Sequence, residues 1–204
     1  MLIEINPYNP DQRKIRQVVQ QLENDGVIIY PTDTVYALGC DIMSKKAVER
    51  IARIRRLDPK KAQFSFICES IGQVAEYAAQ IDNEVFRLMK QLLPGPYTFI
   101  LKAGSRVPKI IQGRRSQIGI RIPDNEISLQ IVRELGRPII TASLKTEDDD
   151  DLLEYMSQPW EIHDYFGHNV DIVLDGGNGG LDPSTVLDCT VTPPGSGAGR
   201  SRKN

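Results

Sequence analysis

Short apolar runs alternate with stretches of helical apolar spacing along this 204-residue chain, and that alternation restricts the fold more than any other feature. Residues 2–5 read as a strand. Asp11 can cap a helix running to about Asp25, with Ile15, Val18, Val19 and Leu22 on one face. Val27–Tyr30 is a strand, and Ser44 caps a helix through Arg55 whose inner face is Ala47, Val48, Ile51 and Ile54. The same patterns predict strands over Gln63–Cys68, Tyr97–Lys102, Gln117–Ile122 and Pro138–Ala142, and helices near 71–79, 83–93, 127–135 and Pro159–Phe166, with a short helix at Pro108–Gln112. The last two strands, 170–174 and 184–188, are joined by the glycine-rich GGNGG (176–180), which predicts a plain turn and antiparallel pairing between them. The expected fold is one α/β domain over residues 1–190, a twisted mixed sheet with flanking helices. The Gly/Ser/Pro-rich remainder, 191–204, is expected to be disordered.

No apolar run exceeds a few residues, which excludes a transmembrane helix. The opening MLIEINPYNPDQRK has no basic segment followed by an apolar one, so a cytoplasmic protein without a membrane partner is expected. Cys40, Cys68 and Cys189 are far apart and form no CxxC pair, which suggests reduced core thiols. His163 and His168 lack cysteine neighbours, so no protein-bound metal site is expected.

Net charge is only −2, but fourteen of the 25 basic residues fall within 45–61 and 102–121. That concentration points to a positive surface or cavity for an anionic ligand, against the alternative of two solvated faces. No P-loop, no G-x-G-x-x-G after a strand and no G-x-S-x-G elbow occurs. What remains are strand-end loops rich in hydroxyls and guanidinium groups: Thr32-Asp33-Thr34 after Pro31, the basic stretch Arg53–Lys61, Arg121 before Pro123, Thr141-Ala142-Ser143, and Asp182-Pro183-Ser184-Thr185. Each alone can be turn chemistry.

Taken in order, VIIYPTDTVYALGCD, AVERIARIRR, LLPGPYTFILKA, IGIRIPD, PIITASLK and DPSTVLD resemble the YrdC/YciO family over residues 1 to 188. The resemblance implies a YrdC-like twisted fold around a basic cavity. It also implies synthesis of threonylcarbamoyl-adenylate from L-threonine, bicarbonate and ATP with Mg²⁺, linked to threonylcarbamoyladenosine in tRNA. On that basis Thr32, Thr34, Thr141 and Ser143 would bind substrate. Arg55, Lys60 and Lys61 would act in catalysis on phosphates or bicarbonate, and Arg55, Arg121, Ser143 and Ser184 would hold the nucleotide. The residue types suit that chemistry, which demands proximity of reactants and stabilisation of phosphate charge.

The sequence departs from the synthase branch twice. Its Lys-x-Arg becomes Arg55-Arg56-Leu57, and its Ser-x-Asn becomes Ser143-Leu144-Lys145, as in the YciO-like branch. A leucine offers no anion ligand, and lysine donates where an amide both donates and accepts. Two other functions therefore stand beside the synthase: a double-stranded RNA-binding protein without synthase activity, and an enzyme that removes or processes the threonylcarbamoyl group of tRNA.

Overall fold

The computed structural model describes residues 1–57, 64–111, 116–144, 156–191 and 195–197. Its elements run β1 (Leu2–Glu4), α1 (Gln12–Glu23), β2 (Ile28–Tyr30), β3 (Ala37–Gly39), α2 (Lys45–Ile54), β4 (Ser65–Ile67), α3 (Ile71–Tyr77) and α4 (Asn83–Leu92). They continue with β5 (Tyr97–Lys102), β6 (Gln117–Arg121), α5 (Glu126–Leu135), β7 (Ile139–Ser143), α6 (Pro159–Phe166), β8 (Ile172–Asp175), β9 (Thr185–Asp188) and β10 (Gly195–Gly197). Local chemistry sets several boundaries. The Asp11 side chain accepts from the Arg13 N–H and the Ser44 hydroxyl from the Ala47 N–H, which satisfies orphan donors at the starts of α1 and α2. Gly136, at φ 73°, ends α5 in the left-handed conformation that glycine adopts freely.

The strands form one sheet in the order β1-β8-β2-β3-β7-β4-β6-β5-β9-β10. It is mixed: β4 runs parallel to β6 and β5 to β9, whereas β3–β7, β4–β7 and β5–β6 are antiparallel. Alternation of side chains sorts the sheet into two faces. One carries Ile29, Leu38, Phe66, Ile120 and Ile140 against the apolar sides of α2, α3, α4 and α6. The other carries Ile28, Tyr30, Ala37, Ile67 and Ile139 against α1 and α5. Register continues this second face across the sheet, through Ser143 opposite Ala37, Thr141 opposite Ser65, and Gly119 and Arg121 opposite Ser65 and Ile67. The face changes there from apolar to polar, beyond the α1–α5 cluster. The site lies at this change.

Four expectations change. The segment after Tyr30 is not only a loop: β3 turns back and pairs antiparallel with β2, Ile28 opposite Gly39 and Tyr30 opposite Ala37. Strands β8 and β9 do not pair with each other. β8 lies parallel between β1 and β2, while β9 lies parallel to β5 near the opposite edge. A strand reaching across the sheet cannot form a hairpin, so the GGNGG segment is a crossing connection rather than a plain turn. Pro108–Ile111 makes one hydrogen-bonded turn (Ile111 N–H to Pro108 O, 3.1 Å) and no helix. In the glycine-rich tail, Gly195–Gly197 pairs antiparallel with β9 as an edge strand instead of being disordered.

Cys40 and Cys68 are fully buried, and burial pushes both thiols well above their ordinary range; Cys189 is half-buried and raised by the same cause. Thiolate is the reactive form. In native protein at pH 8, a disulfide reagent is therefore expected to label Cys189 slowly and leave Cys40 and Cys68 untouched, with all three reacting in denaturant. Rapid native labelling of two or more thiols would contradict this burial.

Candidate functional site

The site is built at the tip of the β2–β3 hairpin. Pro31 ends β2, and its carbonyl accepts a 2.7 Å hydrogen bond from the buried Ser128 hydroxyl of α5, which fixes the exit of the loop. Within the loop the hydroxyls point along one chain of donors. Thr32 Oγ1 donates to the Val35 carbonyl at 2.8 Å and lies 3.0 Å from Thr34 Oγ1. Its only proton is thus committed to Val35, so Thr34 is the donor of that pair. The Thr34 N–H also donates to Thr32 Oγ1 at 3.1 Å. Thr32 has then used its donor and both acceptor sites, and its role is to order the loop around Thr34. Thr34 keeps an acceptor site, which Arg121 fills.

Arg121 stands at the end of β6, 5% exposed. Its Nη2 donates to Asp33 Oδ1 at 2.7 Å and to Thr34 Oγ1 at 2.9 Å. The pair is enclosed: the side chains of Arg121 and Asp33 are 6% and 8% exposed. Asp33 Oδ2 accepts the Asp124 N–H at 3.0 Å, so the same carboxylate ties the hairpin tip to the segment after β6. Burial pulls the Arg121 guanidinium below its ordinary value, with Asp33 opposing that shift. Arg121 Nε is buried and has no hydrogen-bond partner among the described residues.

Beside the arginine the face becomes a shelf of hydroxyls. Thr141 is 7% exposed and Ser143 half-buried on β7, with Ser65 opposite Thr141 on β4. Gly119 keeps this shelf possible. A Cβ there would lie 2.3 Å from Ser65 Oγ and 3.2 Å from Thr98 Cγ2. Ser184 closes the far side, its hydroxyl 2.7 Å from that of Thr98.

The connection from β8 to β9 is pressed onto the hairpin tip. The Tyr36 hydroxyl donates to the Gly177 carbonyl at 2.7 Å and accepts the Gly176 N–H at 3.1 Å. The Gly180 N–H donates to the Thr34 carbonyl at 2.7 Å. Added Cβ atoms at Gly176, Gly179 and Gly180 would fall 2.6 Å from Ile127 Cδ1, 2.6 Å from the Tyr36 ring and 2.4 Å from the Thr34 carbonyl oxygen. At Gly180 the strap lies backbone against backbone, where only glycine fits; at Gly176 and Gly179 the close neighbours are side chains.

Of the residues expected from sequence, Thr32, Thr34 and Arg121 come together directly, Thr141 and Ser143 lie on the same sheet face, and Ser184 joins through Thr98. Arg55 is the half-buried C-cap of α2. Arg56 follows at φ 50°, and the N–H groups of Arg56 and Leu57 donate back to the carbonyls of Arg53 and Ala52, a Schellman end to the helix. Leu57 is 41% exposed. Lys60, Lys61 and Lys145 lie outside the described residues. Sequence reading gave no site role to Asp33, Tyr36, Ser65, Thr98 or the glycines of the strap. Only the presence of an acid between two threonines, and of glycine within a strand, hinted at two of them.

Comparison with known proteins follows the same geometry. The family model Sua5_yciO_yrdC, described as Telomere recombination, matches residues 20–196. The chain belongs to this Sua5/YciO/YrdC family. It is 43% identical to the YciO protein of Escherichia coli K12 over 191 residues, covering 93% of this chain and 90% of that one. The crystal structure of E. coli YciO superposes with a TM-score of 0.89 and 40% identity, covering 96% of this chain and 93% of that one. Pyrococcus abyssi Sua5 crystallised with L-threonine gives a TM-score of 0.85 at 26% identity, over 95% of this chain and 56% of that longer chain. A threonylcarbamoyl-AMP synthase of Halorhodospira halophila is 26% identical over 174 residues, covering 85% of this chain and 88% of that protein. Family membership thus extends to enzymes named for threonylcarbamoyl-AMP synthesis. Among the described residues, no helix is long and apolar enough to cross a membrane.

Proposed function

We infer that the chain is a nucleotidyltransferase of the threonylcarbamoyl-adenylate synthase type, using L-threonine, bicarbonate and ATP. The observation that carries this reading is the enclosed Asp33–Arg121–Thr34 network beside a hydroxyl shelf. It is supported by the likeness to a Sua5 chain crystallised with L-threonine. In the reaction, the threonine amine takes up the carbon of bicarbonate with loss of water, and the carbamate oxygen attacks the α-phosphate of ATP as pyrophosphate leaves. Thr34 and the shelf of Thr141 and Ser143 would hold the amino acid, which is a positioning task. Ser184 borders the shelf toward the nucleotide, and Arg55 with Lys60 and Lys61 would face phosphates. Among the described residues no cluster of three His, Cys, Asp or Glu side chains could hold a metal ion. Mg²⁺ would therefore arrive on the triphosphate, where it neutralises phosphate charge.

The expected result with ATP, Mg²⁺, bicarbonate and L-threonine is weak pyrophosphate release. Loss of one charge-stabilising donor commonly costs roughly 10²–10³ in rate, and Leu57 and Lys145 stand where the synthase pattern has arginine and asparagine. Leu57→Arg with Lys145→Asn should raise the rate by at least about tenfold if both lost donors matter. Absence of turnover in both proteins, with no thermal stabilisation by threonine, would end this reading.

Leu57 favours a second one. An exposed leucine at the end of α2, together with 43% identity to YciO, suits an enzyme that removes or processes the threonylcarbamoyl group on tRNA without needing ATP phosphates. Release of that group from modified tRNA in the absence of ATP would select it.

A further inference from the structure

Thr98 lies on β5 opposite Val186 of β9 and is 6% exposed. A buried hydroxyl must place its proton. Among the described residues the Thr98 hydroxyl has one hydrogen-bond partner, the hydroxyl of Ser184 at 2.7 Å. Ser184 is half-buried where the strap enters β9, and the Thr185 N–H beside it donates to the Pro96 carbonyl at 2.9 Å. The backbone thus keeps Ser184 next to Thr98 whichever hydroxyl donates. Burial decides the donor. If Ser184 donated, the Thr98 proton would be enclosed without an acceptor, the costly case of a buried unmet donor. Thr98 therefore donates, and the proton of the half-buried Ser184 is left for another acceptor. Gly119 fixes the direction. Threonine carries its methyl and hydroxyl on one stiff Cβ, so placing the methyl places the hydroxyl. The Thr98 Cγ2 methyl lies over Gly119 of β6, 3.2 Å from where a Cβ would stand, and the hydroxyl is turned to Ser184.

We propose that Thr98 is a positioning residue, which by donating to Ser184 aims the Ser184 hydroxyl proton at an anionic oxygen of the substrate. Thr98 itself touches no substrate. A hydroxyl that already accepts a hydrogen bond is a stronger donor, because successive bonds polarise one another. The group that Ser184 meets is an acceptor, either a phosphate oxygen of the nucleotide or the carboxylate of the amino acid. This rests on the synthase reading above and adds the buried residue that sets one of its ligand contacts.

Calorimetric titration of the full chain with L-threonine and, separately, with ATP and Mg²⁺ tests it. The proteins compared are wild type, Thr98→Val, Thr98→Ser, Ser184→Ala and the double variant Thr98→Val with Ser184→Ala. A hydrogen bond to a charged group is commonly worth about tenfold or more in affinity. Ser184→Ala should therefore weaken at least one of the two ligands by about tenfold, and the ligand that weakens names the source of the anionic oxygen. Thr98→Val loses only the hydroxyl and should weaken the same ligand by about three- to tenfold. Thr98→Ser keeps the donor and should bind within about twofold of wild type. In the Ser184→Ala background Thr98→Val should add less than about twofold, because no hydroxyl remains to be aimed. A merely structural role gives the opposite pattern. Thr98→Val would then cost as much in the Ser184→Ala background as alone, and Thr98→Ser, which drops the packed methyl, would bind no better than Thr98→Val. Either result overturns the proposal, as does unchanged binding of both ligands in Thr98→Val, and the synthase reading survives each of them. If Thr98→Val does not fold, unchanged binding of both ligands in Ser184→Ala overturns the proposal by itself. If wild type binds neither ligand, the proposal and the synthase reading fail together.

Discussion

Arg121→Ala is expected to lower the unfolding free energy by about 3–5 kcal/mol, the usual cost of removing one partner from a buried ion pair. The loss has two sources. Asp33, with its side chain only 8% exposed, would be left as a buried charge that keeps just the Asp124 N–H. Thr34 would lose the donor that fills its acceptor site. Adding Asp33→Ala should recover part of the loss, because the unpaired charge is then gone. Urea unfolding of wild type, both single variants and the double variant measures this coupling. Strict additivity would mean that the 2.7 Å contact contributes no coupling to the fold. Ligand binding should vanish in Arg121→Ala and should not return in the double variant, which separates stability from function.

The second large effect is expected at the strap. Gly180→Val should destabilise the protein by about 1–3 kcal/mol, the range for overpacking a filled site, and should weaken threonine binding at least tenfold. The new Cβ would sit 2.4 Å from the Thr34 carbonyl oxygen, the atom that the Gly180 N–H now bonds at 2.7 Å. A backbone oxygen inside the hairpin tip cannot move aside as a flexible side chain can, so either the strap lifts or Thr34 shifts. Gly177→Ala is the control for space: no atom lies within 4 Å of its added Cβ, and only its φ of 91° opposes the change. Gly177→Ala should therefore cost stability with a smaller effect on binding than Gly180→Val. Equal binding losses in the two would show that the close approach to Thr34 does not position the site. Thermal unfolding and calorimetry on both variants decide it.

Tyr36→Phe probes the same strap more gently. It removes the hydroxyl that holds the Gly177 carbonyl and the Gly176 N–H but leaves the ring in place. Two hydrogen bonds at a net contribution of about 1 kcal/mol each set the scale of the loss. Cleavage of the 176–184 segment by a protease should become faster in this variant, and the unfolding temperature should fall by a few degrees.

What the sequence determined by itself is what short-range physics controls. Asp11 and Ser44 announce helix starts because a cap needs only a side-chain oxygen two or three residues before an N–H. Ile15, Val18, Val19 and Leu22 mark the inner face of α1 because a helix repeats every 3.6 residues, and all four are buried. The hydroxyl-rich segment after Tyr30 was legible as a loop at a strand end, and the family pattern placed Thr34, Arg121, Thr141 and Ser143 in one site. Strand β3 was hidden, because Ala37-Leu38-Gly39 is short and gains its strand form only from pairing with β2 and β7. The positions of β8 and β9, far apart in the sheet, were hidden for the same reason: glycines in the connection fit a tight turn and a crossing strap equally well in sequence. The partnership of Asp33 with Arg121 spans 88 residues. Nothing local encodes it. It exists because the register of β4 with β6 and β7 brings the end of β6 to the hairpin tip, where burial turns an ordinary acid and an ordinary arginine into a matched pair.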